Sequence, residues 1–98
     1  MKDDLKERLK KAIDQAEWSW LEPHQERGSI IIVSEELELA EVAFRIATDD
    51  QSMIAGWLKE NQLTRPNSVQ IDHWRSEAGL RLNCVIVQPF VLVQQIPS

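Results

Sequence analysis

The chain has 98 residues, 43% apolar and 28% charged, with 11 basic against 16 acidic side chains, four Trp, no Tyr and one Cys. That length suits a single domain over residues 1–98 whose core hides about two-thirds of the unfolded surface, and it excludes a two-domain layout. The net charge of −5 argues against unspecific attraction to nucleic acid or anionic lipid, which both need a basic surface.

Leu5, Leu9, Ala12, Ile13, Ala16 and Trp20 recur at steps of three or four and predict one helix from about Asp3 to Leu21. Asp3 and Asp4 suit its positive end, and Asp4 to Arg8 and Glu7 to Lys11 are acid-first pairs on one face. Glu22 precedes Pro23 and is pushed toward extended geometry, so the helix is expected to stop or kink there. Gly28 then permits a turn. Ile30–Val33 is an unbroken β-branched run, too short for a helix, whose lack of alternation predicts a strand covered on both faces.

Ser34 is placed to cap a largely buried helix carrying Leu37, Leu39, Ala40, Val42, Ala43, Phe44, Ile46 and Ala47. Thr48 and Gln51 have the spacing of a capping box, so a further helix should carry Met53, Ile54, Trp57 and Leu58 inward, with Gly56 marking a close helix contact. Asn61 suits a left-handed stop. Leu63–Pro66 reads as extended, and Asn67 with Gln70 begins a short helix holding Val69, Ile71 and Trp74, which Gly79 ends.

Residues 80–96 are rich in β-branched side chains and read as strand, interrupted by Pro89. Gln88-Pro89 offers no Asn-Gly and no Gly for positive φ, which argues against a tight hairpin and for one bent strand or two strands meeting at a corner. Seventeen such residues would reach roughly 55 Å, more than a domain this size can span, so the strand must bend sharply or leave its own domain. The expected fold is α+β: about four helices packed on a small sheet formed by strand 30–33 and a long bent C-terminal strand 80–95.

Few residues invite chemistry. Glu17, His24 and Arg27 form a candidate polar site at the Pro23 corner, set against the plainer reading of a solvated turn. Asp72 and His73 are neighbours on a helix and point about 100° apart. Two histidines and one cysteine have no metal-ligand spacing and no phosphate-binding glycine motif occurs, so no metal or cofactor is expected. Cys84, among apolar neighbours, reads as an inert thiol. The six acids between Glu35 and Asp50 read as a solvated face with helix caps rather than a cation site.

Residues 50–77 have the outline of a helix-turn-helix. The second helix, however, offers Asp72 and Glu77 against Arg75 alone, which disfavours DNA. Trp20, Trp57 and Trp74 fall on apolar stripes and are expected in the core, leaving Trp18 for a surface or interface role. The solitary cysteine, the lack of an export leader and the absence of any apolar run near the roughly 20 residues of a membrane helix predict a cytoplasmic protein without a membrane span.

The segment Ala16–His24 (AEWSWLEPH), the Leu39–Asp50 stretch LAEVAFRIATDD and the Val87–Gln94 ending VQPFVLVQ together resemble a family of small bacterial proteins designated a domain of unknown function, over about Ala16 to Gln95. The resemblance implies a bacterial cytosolic protein and transfers no activity and no site residues. Its members often carry Gly where this chain has Asn61, a departure that touches only a helix cap. The leading expectation is a non-catalytic interaction or regulatory protein acting as a homodimer, possessed of an interface on Trp18, Phe90, Val91 and Val93, with a further protein partner left open. The alternatives are a ligand-binding protein or enzyme using Glu17, His24 and Arg27, and a DNA binder.

Overall fold

The run Ile30–Val33 lies inside the protein as its composition predicts, with Ile30 and Val33 buried and Ile31 and Ile32 half-buried. In the computed structural model, which describes residues 2–77 and 79–96, the elements run α1 (Lys2–Ala12), β1 (Asp14–Glu17), α2 (Trp18–Glu26), β2 (Ile30–Val33), α3 (Leu39–Ala47), α4 (Gln51–Lys59), β3 (Leu63–Thr64), α5 (Ser68–Ser76), β4 (Arg81–Val87) and β5 (Phe90–Gln95). The strands form one mixed sheet in the order β1-β4-β5-β2-β3. β5 pairs antiparallel with β4 and parallel with β2, and the outer pairs β1·β4 and β2·β3 are antiparallel.

Alternation along the strands gives the sheet two apolar faces. Ala16, Ile30, Leu82, Val91 and Val93 point to one and are covered by Trp18 and Leu21 of α2 and Trp74 of α5. Val33, Leu63, Val85, Val87 and Leu92 point to the other, where Leu39, Val42 and Ala43 of α3 are buried and Leu9, Ile54 and Trp57 of α1 and α4 pack partly. The architecture is therefore α+β, with five helices in two layers around a five-stranded sheet.

Several expectations are corrected. The predicted helix 3–21 ends at Ala12, after which β1 pairs with β4 from Asp14↔Cys84 to Glu17↔Arg81. Ala16 and Trp18, two apart, face inward together, a strand period hidden inside an apparent helical one. The helical pattern then restarts, so Trp18 is 4% exposed and Trp20 61% exposed, the reverse of the assignment made from a continuous helix. Pro23 lies inside α2 rather than ending it. Its missing N–H leaves the carbonyl of exposed Ser19 without its helical donor, an acceptor that water can reach. The side chain of Asp3 lies outside the described residues.

Helix starts differ as well. α3 begins after Glu38, while the Ser34 hydroxyl accepts from the Glu36 N–H in the preceding turn. Asp50, not Thr48, caps α4 by accepting from the Met53 N–H, and Thr48 instead closes α3 by donating to the Phe44 carbonyl. Asn67 and Gln70 form the expected capping box, and Asn61 has φ +60°. Met53, Leu58 and Val69 are exposed, and a Cβ on Gly56 would meet nothing within 4 Å, so that glycine marks no close contact.

The largest correction concerns the tail. Residues 80–95 are not one bent strand: β4 and β5 form a hairpin whose two-residue loop is Gln88-Pro89, joined by a cis peptide, with Val87 opposite Phe90. A cis proline at the third position of a turn closes a hairpin without glycine or asparagine. Folding back also resolves the length problem, since the protein measures 41 × 28 × 28 Å.

Candidate functional site

Trp18 opens α2 and Trp74 lies near the end of α5, and their rings meet at 4.9 Å between centroids, tilted by 43°. The Trp18 indole N–H donates to Glu22 Oε1 at 2.7 Å, one helical turn on. The Arg75 guanidinium crosses from α5 and donates to both Glu22 oxygens, at 2.9 and 3.1 Å. Arg75 above all, helped by the Trp18 N–H, holds the Glu22 carboxyl below the usual carboxylate range against the opposing effect of burial. The remaining donors and acids around this cleft are Glu17, Ser19 and Glu77. Its one cation is thus already engaged, and the arrangement acts as a clamp between two helices.

Of the predicted polar corner, only Glu17 reaches this cleft. Glu17 caps the start of α2 and Arg27 caps its end, roughly 15 Å apart at about 1.5 Å per helical residue. His24 sits near Arg27 in the last turn, half-buried, where its carbonyl accepts from the Ser29 N–H. The helix therefore separates Glu17 from His24 and Arg27.

The tail residues proposed for an interface also lie inward. Trp18, Val91 and Val93 are buried and Phe90 is half-buried. β5 does not leave its own domain: it has neighbours on both sides. The strands at the sheet's edges are β1, four residues with Asp14 and Glu17, and the two-residue β3. Short and charged edges resist strand addition. The helix-turn-helix outline also fails, because α4 packs against one face of the sheet and α5 against the other, whereas that motif needs its two helices joined by a tight turn.

Three of the six acids, Glu38, Glu41 and Asp50, are paired with cations. Arg45 pairs with Glu41 and Asp50, and Lys6 of α1 reaches Glu41 at 2.9 Å and Glu38 at 3.4 Å. Among the described residues no group of His, Cys, Asp and Glu is arranged to hold a metal ion. Burial, and then Asp14 across the ladder, push the Cys84 thiol up, away from a reactive thiolate.

A different place has the form of a binding site. Ile31 of β2, Ile46 of α3, Ile54 and Leu58 of α4, Leu63 of β3 and Phe90 of β5 surround a cleft of about 320 Å³, with Thr64 and Arg65 completing its wall. No side chain of α4 is fully buried and Leu58 is 54% exposed, so this helix stands off the sheet and leaves the space beneath it unfilled. Arg65 donates to the Gly28 carbonyl in the α2–β2 turn. Sequence reasoning missed this site. Its apolar members read as ordinary core, and Arg65 comes beside Ile31 only through pairing of β2 with β3.

The fold and this cleft define a small three-layered α+β protein with an apolar recess on one face of its sheet. Within that class the chain belongs to the family described as Protein of unknown function (DUF2288), whose profile matches residues 4–95. A solved structure, the NMR solution structure of PA1075 from Pseudomonas aeruginosa, is similar to it with a TM-score of 0.81 and 27% sequence identity, over 97% of this chain and 87% of that one. No curated protein matches the chain. Among the described residues no helix is long and apolar enough to cross a membrane.

Proposed function

We propose that the protein works by binding rather than by chemistry, and that its site is the apolar cleft beneath α4. The observation that carries this reading is the convergence of six apolar side chains from five elements on one unfilled recess. Protein interiors are packed about as densely as organic crystals, and an open apolar recess leaves surface that a ligand can remove from water at about 25 cal/mol per Å². Its volume of about 320 Å³ lies at the lower end of the roughly 300–1,000 Å³ typical of ligand pockets. The lining offers one hydroxyl and one guanidinium, which orient a guest, and no acid–base pair. Titration with 1-octanol, followed by methyl NMR, is expected to move Ile31, Ile46, Ile54 and Leu58 saturably. Shifts spread evenly over both faces of the sheet, or none at all, would remove the reading.

A second reading keeps the homodimer. Exposed Met53 and Leu58 on α4 favour a second copy packed on this helix, with Leu58 at the rim of the cleft. Sedimentation equilibrium of the native chain and of Leu58→Lys tests it: a dimer lost in the variant supports association, and a monomer in both ends it.

A further inference from the structure

We infer that the guest of the apolar cleft is a small amphipathic monocarboxylate, its chain beneath α4 and its carboxylate on Arg65. The inference rests on the binding reading above and adds the ligand's chemical class. Arg65 is the one charged residue of the lining. Arg75 and Arg65 differ: Arg75 spends its donors on Glu22, whereas Arg65 has no carboxylate within ion-pair distance among the described residues. Its recorded partner is a backbone carbonyl, that of Gly28. A guanidinium has five N–H donors, so this contact steadies the group at the wall and leaves donors for a second acceptor. The planar fork matches a carboxylate better than a spherical anion.

The rest of the site limits the choice. A neutral hydrocarbon would leave the cation unused, and a dianion would meet one cation in a protein of net charge −5. The recess of about 320 Å³ suits a chain of medium length rather than a long one.

Sodium octanoate and 1-octanol, titrated into the native protein by methyl NMR at low salt, separate the two levels of the argument. Octanoate is expected to bind about fivefold more tightly than octanol, the preference of a partly exposed ion pair. Arg65→Gln should abolish that preference by lowering octanoate affinity to that of octanol, and about 0.5 M NaCl should reduce it in the native protein. Octanol binding with no octanoate preference, or a preference that survives Arg65→Gln, overturns the carboxylate inference and leaves the cleft reading standing. Failure of both probes to bind removes both. Should Arg65→Gln not fold, the salt series on the native chain decides, and a preference unmoved by salt overturns the inference.

Discussion

The two faces of this sheet use alternate residues of the same strands, yet one is closed at its centre by paired tryptophans, with clefts that have charged walls beside them, and the other is open through an apolar recess under α4. On the closed face two tryptophans, 3% and 4% exposed, fill the space between α2 and α5, and Glu22 with Arg75 ties the helices together. On the open face α3 packs tightly, while α4 contributes only the half-buried Ile54 and Trp57 to the core. The difference lies in interlocking and crosslinking rather than in hydrophobicity. α4 carries more apolar side chains than α5, but Met53 and Leu58 stay exposed and Gly56 adds no bulk. A face closes where large rings interlock and stays open where a helix keeps its bulk at the rim.

The sharpest way to break this contrast is Trp74→Ala, expected to cost about 3–5 kcal/mol by urea unfolding because it empties a fully packed site. Trp57→Ala, on the looser face and half-buried, should cost less, about 1–2 kcal/mol. Equal losses would show that the two faces are packed alike. Gly56→Ala should stabilise the protein by about 0.5–1 kcal/mol, since the new methyl group meets no atom within 4 Å and removes a helix-interior glycine. A destabilised variant would mean that α4 lies closer to its neighbours than described.

The clamp on the closed face has a pH signature. Arg75 lowers the folded-state pKa of Glu22, so the ionised carboxylate stabilises the fold above the ordinary carboxylate range and loses that effect as pH falls through its lowered value. Glu22→Gln should therefore be less stable than the native chain at neutral pH, with the gap narrowing in acid. A constant gap would assign the loss to packing instead. The smallest effect on stability is expected at the mouth of the cleft: Leu58→Ser should stay within about 0.5 kcal/mol of the native chain while weakening octanol binding.

Much of the local structure was legible before any contact was known. The capping box of Asn67 and Gln70 and the left-handed Asn61 depend on neighbours within a few residues, and both appear as expected. The burial of Trp74 follows from its stripe. Misreadings occur where two periods overlap or where a partner is distant. Ala16 satisfies a helical stripe begun at Leu5, but pairing with Leu82 makes it a strand residue. The candidate site was less legible than the fold: Glu17, His24 and Arg27 are close in sequence but strung along one helix, while the cleft draws its wall from residues as far apart as Ile31 and Phe90.

The sequence by itself determined the elements whose information is local: the β-branched run of β2, the capping box of α5, the left-handed Asn61, and the mixed α and β character. Only the tertiary structure decided that Asp14–Glu17 is a strand, that Trp18 rather than Trp20 is buried, that the tail folds into a central hairpin, and that Arg65 stands beside an apolar recess. The physical reason is that ladder hydrogen bonds and side-chain volume are satisfied by residues distant along the chain, so they outweigh local preference wherever that preference is ambiguous.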